Sequence, residues 1–127
     1  MAKTIAALIG VVFLLVGLIG FAVPGLMGAH LSPAHNVIHL VSGAVSLYLG
    51  LKGSLSAAKT FSIIFGAVYL LLGVAGFALG TSADGHASML RLVPGVLELG
   101  QMDHIIHVVI GGLYLVGALA TRSTDPA

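Results

Sequence analysis

The sequence predicts an all-α integral membrane protein, a four-helix bundle made of two parallel-related helical-hairpin repeats. Three observations predict it. Four uncharged apolar runs are each long enough to cross a bilayer, since about 20 residues of helix span the roughly 30 Å hydrocarbon core. The composition is 58% hydrophobic and 7% charged over 127 residues, far from the roughly 25% charged residues of soluble domains. The first half of the chain also resembles the second.

The first run, about residues 4–23, follows Lys3 and is closed by Pro24 and Gly25. At about 20 residues it exceeds the 7–15 apolar residues of a cleavable signal, and no small-x-small cleavage site follows, so it reads as a span. The second, 33–51, opens with Ser32 as an N-cap and Pro33 at the first helical position, then stops before Lys52 and Gly53. The third is expected over 60–79, with Gly80 and the 81–85 stretch as its exit, and the fourth over 102–120. Four such spans leave no room for a second domain, so residues 1–127 read as one four-span membrane domain. The remaining stretch, 86–100, is the longest loop; its apolar part, Met89 to Leu99, is broken by Pro94 and Gly95 and is expected to lie along the membrane interface.

Lys3, Lys52, Lys59 and Arg122 fall on one side of these spans and Arg91 on the other. The positive-inside rule then puts both termini in the cytoplasm and the histidine-bearing loops outside. A net charge of +1 without a basic cluster offers no footprint for nucleic acid. The absence of cysteine excludes disulfides, thiolate-held zinc and iron–sulfur clusters.

At a shift of 56 residues, 10 of the 20 positions from Lys3 to Ala22 are identical, including Gly10 with Gly66 and Gly17 with Gly73. At a shift of 68 the second run aligns with the fourth, pairing His39 with His107, Gly43 with Gly111 and Leu47 with Leu115. Each repeat holds two spans, so the halves enter the membrane in the same sense and are expected to be related by a pseudo-twofold axis along its normal.

The polar residues inside these runs are the candidates for function, because intramembrane ionisable groups are costly to keep. His35, His39, Gly43 and Ser46 recur at intervals of three or four on the second helix, as do His107, Gly111 and Tyr114 on the fourth. Each set forms one stripe. Small residues at such intervals let helices approach closely in lipid, so Gly10, Gly17, Gly43, Gly66, Gly73 and Gly111 are expected at helix contacts. His39 and His107 are expected to face the interior at similar depth. The run Asn36-Val37-Ile38-His39-Leu40 with Gly43, echoed by Asp103 and His107-x-x-x-Gly111, resembles an uncharacterised bacterial four-helix membrane family, domain of unknown function 4383. The resemblance implies four spans and a bacterial cytoplasmic membrane, and carries no activity.

Three roles compete for the histidines. His39 and His107 can bond Ser42, Ser46, Asn36 or carbonyls and simply fix helix packing. The pair can instead ligate a haem, another tetrapyrrole or a transition metal, with His35, His104 and Asp103 as further metal ligands. Or they can form a proton or ion relay together with Glu98. Enzymes that hold two irons in membrane histidine boxes use more than six histidines, which argues against catalysis. The expected role is a non-enzymatic accessory or scaffold subunit that packs with other membrane subunits or with itself in the lipid bilayer. The alternative is a cofactor-binding membrane protein, and the third reading an ion conductor.

Overall fold

The computed structural model describes residues 1–83 and 86–122. Asp84, the side chain of His86 and the tail beyond Arg122 lie outside the described residues. Four long helices dominate: α1 (Ala2–Ala22), α2 (Pro33–Leu51), α3 (Leu55–Leu79) and α4 (Gln101–Ala120), all long and apolar enough to cross a membrane. Large apolar side chains point outward from every helix, among them Leu8, Leu18, Val41, Leu71 and Leu119. So extensive an apolar surface would be an aggregation liability in water and is what lipid requires.

Local chemistry accounts for the helix limits. The Ser32 hydroxyl accepts the His35 N–H at 3.3 Å, and Pro33 stands at the first position of α2. Likewise the Ser54 hydroxyl accepts the Ala57 N–H at 3.0 Å, so α3 starts at Leu55, five residues ahead of the expected Thr60. With 25 residues it is about 37 Å long at 1.5 Å per residue, longer than a hydrocarbon core, and Lys59 lies near one end.

Each helix packs most closely on its neighbour in sequence, α1 on α2 and α3 on α4. Glycines set the separation. A Cβ on Gly10 would stand 2.5 Å from the Leu47 nitrogen and 2.8 Å from the Gly43 oxygen; one on Gly111 would stand 2.5 Å from the Leu70 nitrogen and 2.7 Å from the Gly66 oxygen. Gly17 lies against Leu40, and Gly73 against Val108. All six glycines expected at helix contacts therefore face inward within their own hairpin, leaving none of them as an outward surface for a partner. Between the hairpins, Phe13, Tyr69, Ile110 and Tyr114 form the apolar centre. There the Ser46 hydroxyl donates to the Ala6 carbonyl at 2.6 Å and shares a 2.8 Å bond with the Tyr114 hydroxyl. At one end of the bundle the Ala2 N–H donates to Thr121 Oγ1 at 2.9 Å, so the first and last helices begin and end side by side.

The chain is not purely helical as expected. The connection between α3 and α4 is a three-stranded antiparallel sheet: β1 (Thr81–Ala83), β2 (His86–Val93) and β3 (Leu97–Leu99), in that order. Arg91 pairs with Glu98 across β2 and β3. Pro94 and Gly95, which made 86–100 look like a broken interfacial segment, form the turn that closes this hairpin. Val96 N–H donates to the Val93 carbonyl at 2.9 Å and Gly95 has φ 77°, the left-handed value demanded of the third residue of a type II turn with proline second. The hairpin folds down because Met89 and Leu99 bury their side chains on the helices.

Candidate functional site

α2 begins on the hairpin side of the bundle, where Pro24 to Ser32 lead into it; a 3-10 turn, Leu26–Gly28, lies in that segment. His39 is the seventh residue of α2 and His107 the seventh of α4, each about 9 Å along its helix from the start. Both rings point into the bundle, 6% and 3% exposed, and His35, one turn above His39, joins them at 3%. Nitrogens capable of ligation on His35, His39 and His107 lie within 4.8 Å of one another. The rings of His35 and His39 are 4.3 Å apart between centroids, and those of His35 and His107 6.0 Å.

Neighbours hold this geometry in place. Phe13 stacks flat on His39, centroids 5.0 Å apart at 4°, while Tyr69 lies 5.3 Å from His107. His35 Nδ1 is 2.9 Å from the His30 carbonyl, so that nitrogen carries the proton and donates, leaving Nε2 with a lone pair. A carbonyl that fixes the tautomer of a histidine from behind is the usual partner of a metal-ligating ring. The Nδ1 atoms of His39 and His107 are buried with no hydrogen-bond partner. Of the polar groups nearby, Asn36 Nδ2 donates to the Leu31 carbonyl and Ser46 bonds Ala6 and Tyr114. A buried nitrogen without a partner costs about 1–3 kcal/mol, and two such nitrogens belong to this cluster.

The other expected ligands do not reach the cluster. His104 turns toward α3, where a Cβ on Gly76 would collide with its imidazole, and its ring meets Phe77 edge-on at 5.4 Å. Three residues fall about 60° short of a full helical turn, so His104 sits at the α3 edge of the face that holds His107. Asp103 closes the start of α4 instead. Its Oδ2 accepts the Gly100 N–H at 2.8 Å and the His30 N–H at 3.0 Å, tying the loop before α2 to the loop before α4. Glu98 accepts the Gly95 N–H at 2.9 Å and lies 3.6 Å from Arg91 on the hairpin, which gives it a place in the turn rather than in a relay through the bundle.

Two clefts reach the histidines from opposite flanks. Between α2 and α3, beneath the hairpin leucines Leu92, Leu97 and Leu99, a cavity of about 290 Å³ ends on His35, His39 and His107. Between α1 and α4 a cavity of about 110 Å³ ends on His39, His107 and Asp103. Phe13, stacked on His39, lines the smaller cleft. Three imidazole nitrogens within 4.8 Å of one another are the donor type that binds transition metals at about 2.0 Å.

No protein-family model, curated protein or solved structure matches the chain.

Proposed function

We propose that the chain is a multi-pass membrane protein that binds a transition-metal ion through His35, His39 and His107. The observation that carries this is the convergence of three buried imidazoles, two of them with an unpartnered nitrogen, on one end of an open cavity. Imidazole suits copper, zinc, iron and nickel. Three neutral ligands leave the ion its full charge in an apolar interior, where the cost of burial rises as the square of that charge. Among the described residues Asp103 is the one acidic group lining either cleft, so a monovalent ion is the best balanced. This favours copper(I). Three ligands leave a coordination position open toward the larger cleft, as in metal sites that take an exogenous ligand.

The same proposal includes the duplication. Contacts at Gly10 with Gly43 and Leu47 recur at Gly66 with Gly111 and Leu115, and Asn36 lies on Gly20 as His104 lies on Gly76. These pairs are separated by the shifts of 56 and 68 seen in the sequence. Each histidine of the His39 and His107 pair then comes from one repeat. From the basic residues we place both termini in the cytoplasm and the histidines near the outer face of the membrane; the Asn36 to Gly43 element suggests the family named above and, through that resemblance, the inner membrane of a bacterium. A role as an accessory subunit draws no specific support from the outward faces, which are as apolar as lipid alone requires.

The test is metal retention. Protein purified in mild detergent and loaded with copper(I) under reducing conditions is expected to keep about one ion per chain after desalting. His39→Ala and His107→Ala are expected to lose it, and Ser46→Ala to keep it. A folded wild type that retains no copper, zinc, iron or nickel refutes the proposal.

A further inference from the structure

The two clefts that flank His39 and His107 differ in a way that packing does not require. Residues of the smaller cleft stand 56 or 68 positions from those of the larger: Val12 from Val68, Phe13 from Tyr69, Asp103 from His35 and Ile110 from Ser42. On the α1–α4 side these positions hold a phenyl ring, an isoleucine and a carboxylate already committed to two backbone N–H groups. On the α2–α3 side they hold a phenol, a hydroxyl and an imidazole. Hydrogen-bonding groups have thus been gathered into one cleft, and that cleft has more than twice the volume of its counterpart.

Its mouth is lateral. Ile38 and Val68, which line it, are about half exposed on the outward surface of α2 and α3, where the surrounding medium is lipid. Its roof and most of its walls are hydrocarbon, and among the described residues no Lys, Arg, Asp or Glu lines it. A phosphate or carboxylate head group would be buried there unpaired, at prohibitive cost. The occupant must therefore be neutral, soluble in the bilayer, and polar at one end only. The polar end must offer oxygen atoms, since the inner wall presents Tyr69 O–H, Ser42 O–H, the acceptor Nε2 of His35 and the unpartnered Nδ1 of His39 and His107. It must also be flat and compact, because it enters between the rings of Tyr69, Phe65 and the histidines in about 290 Å³.

We propose that the α2–α3 cleft binds the ring head group of a lipid-soluble quinone or quinol, its tail leaving between Ile38 and Val68 into the bilayer. Neutral histidines and a tyrosine serve both partners, donating to the carbonyls of a quinone or accepting from the hydroxyls of a quinol. The metal and the head group would compete for the histidine nitrogens, and Tyr69 and Ser42 are the groups that serve the head group alone.

The test uses the full chain in detergent, treated with chelator so that the histidines hold no ion, and a decyl-chain benzoquinone as probe in equilibrium dialysis. Saturable binding near one per chain is expected. Val68→Trp, which fills the mouth, is expected to abolish it, whereas Val12→Trp at the matching position of the smaller cleft is expected to leave it intact. Tyr69→Phe removes one hydrogen bond and is expected to weaken binding about five- to tenfold. Circular dichroism and gel filtration establish which variants are folded. Should Val68→Trp not fold, Tyr69→Phe and Ser42→Ala carry the comparison with Val12→Trp. The proposal is overturned by the absence of saturable binding, by equal losses in Val68→Trp and Val12→Trp, or by tighter binding of a decyl alcohol than of the quinone. Metal retention is measured separately, so a protein that binds the ring and no metal refutes only the metal site, and the converse refutes only the cleft.

Discussion

At the scale of single residues, the glycines divide into two kinds that the sequence writes identically. Gly111 and Gly112 are neighbours on α4, yet a Cβ on the first would stand 2.5 Å from the backbone of α3 and one on the second would meet nothing within 4 Å. Gly111→Ala is expected to destabilise the protein by about 1–3 kcal/mol, as overpacking against backbone does. Gly112→Ala is expected to be neutral or to stabilise by up to about 1 kcal/mol through helix propensity; thermal unfolding in detergent followed by circular dichroism compares the two. Ser46→Ala strands the Tyr114 hydroxyl in the core and is expected to cost about 1–3 kcal/mol in the same assay. Which stripe His35, His39 and His107 occupy could be read from their intervals, because helical spacing fixes a face. What lies opposite that face cannot, and for this reason the intervals alone also admit His104 and Asp103 to the cluster. The position of Asp103 just after Gly100 was a usable signal, since an acidic side chain in the first turn of a helix commonly turns back to the free N–H groups there.

Among the elements, the four helices were legible because lipid forces every backbone polar group to be satisfied within a helix and every outward side chain to be apolar. Sequence and structure part where water resumes. α3 gains its first turn from Ser54, whereas Lys59 had suggested a later start; a charge near a helix end marks the edge of the hydrocarbon, not the end of hydrogen bonding. The hairpin is hard to read because the apolar residues around Pro94 and Gly95 suit a membrane-seeking stretch equally well, although Pro-Gly between two apolar runs is a turn signal in its own right. Gly95→Ala forces a Cβ into the left-handed region and is expected to cost about 1–2 kcal/mol of local stability. Hydrogen–deuterium exchange should show faster exchange of the Val96 amide, with α2 unchanged. An unchanged Val96 amide would mean that the turn does not hold the hairpin. Since Leu92, Leu97 and Leu99 roof the larger cleft, the same variant is expected to weaken quinone binding.

For the whole molecule, the arrangement is two tightly packed hairpins joined by a thinner interface in which the few buried polar groups are concentrated. Reporter fusions at Lys52 and after Arg122 are expected to signal cytoplasm, and one within 82–88 the outside; reversed signals at all three would move the histidines to the inner face. The pairing of His39 with His107 was legible in the alignment of the second run with the fourth, and that of His39 with His35 in their spacing on one helix, but the approach of His107 to both rings is a matter of tertiary packing that no spacing along the chain gives. The central claim is that this centre holds a metal through three imidazoles. X-ray absorption at the copper edge of the loaded, reduced protein tests it most directly. Three nitrogen scatterers at about 2.0 Å with the outer-shell pattern of imidazole, lost in His39→Ala and in His107→Ala, are the predicted result; an oxygen-dominated shell, or a spectrum unchanged in both variants, would contradict it.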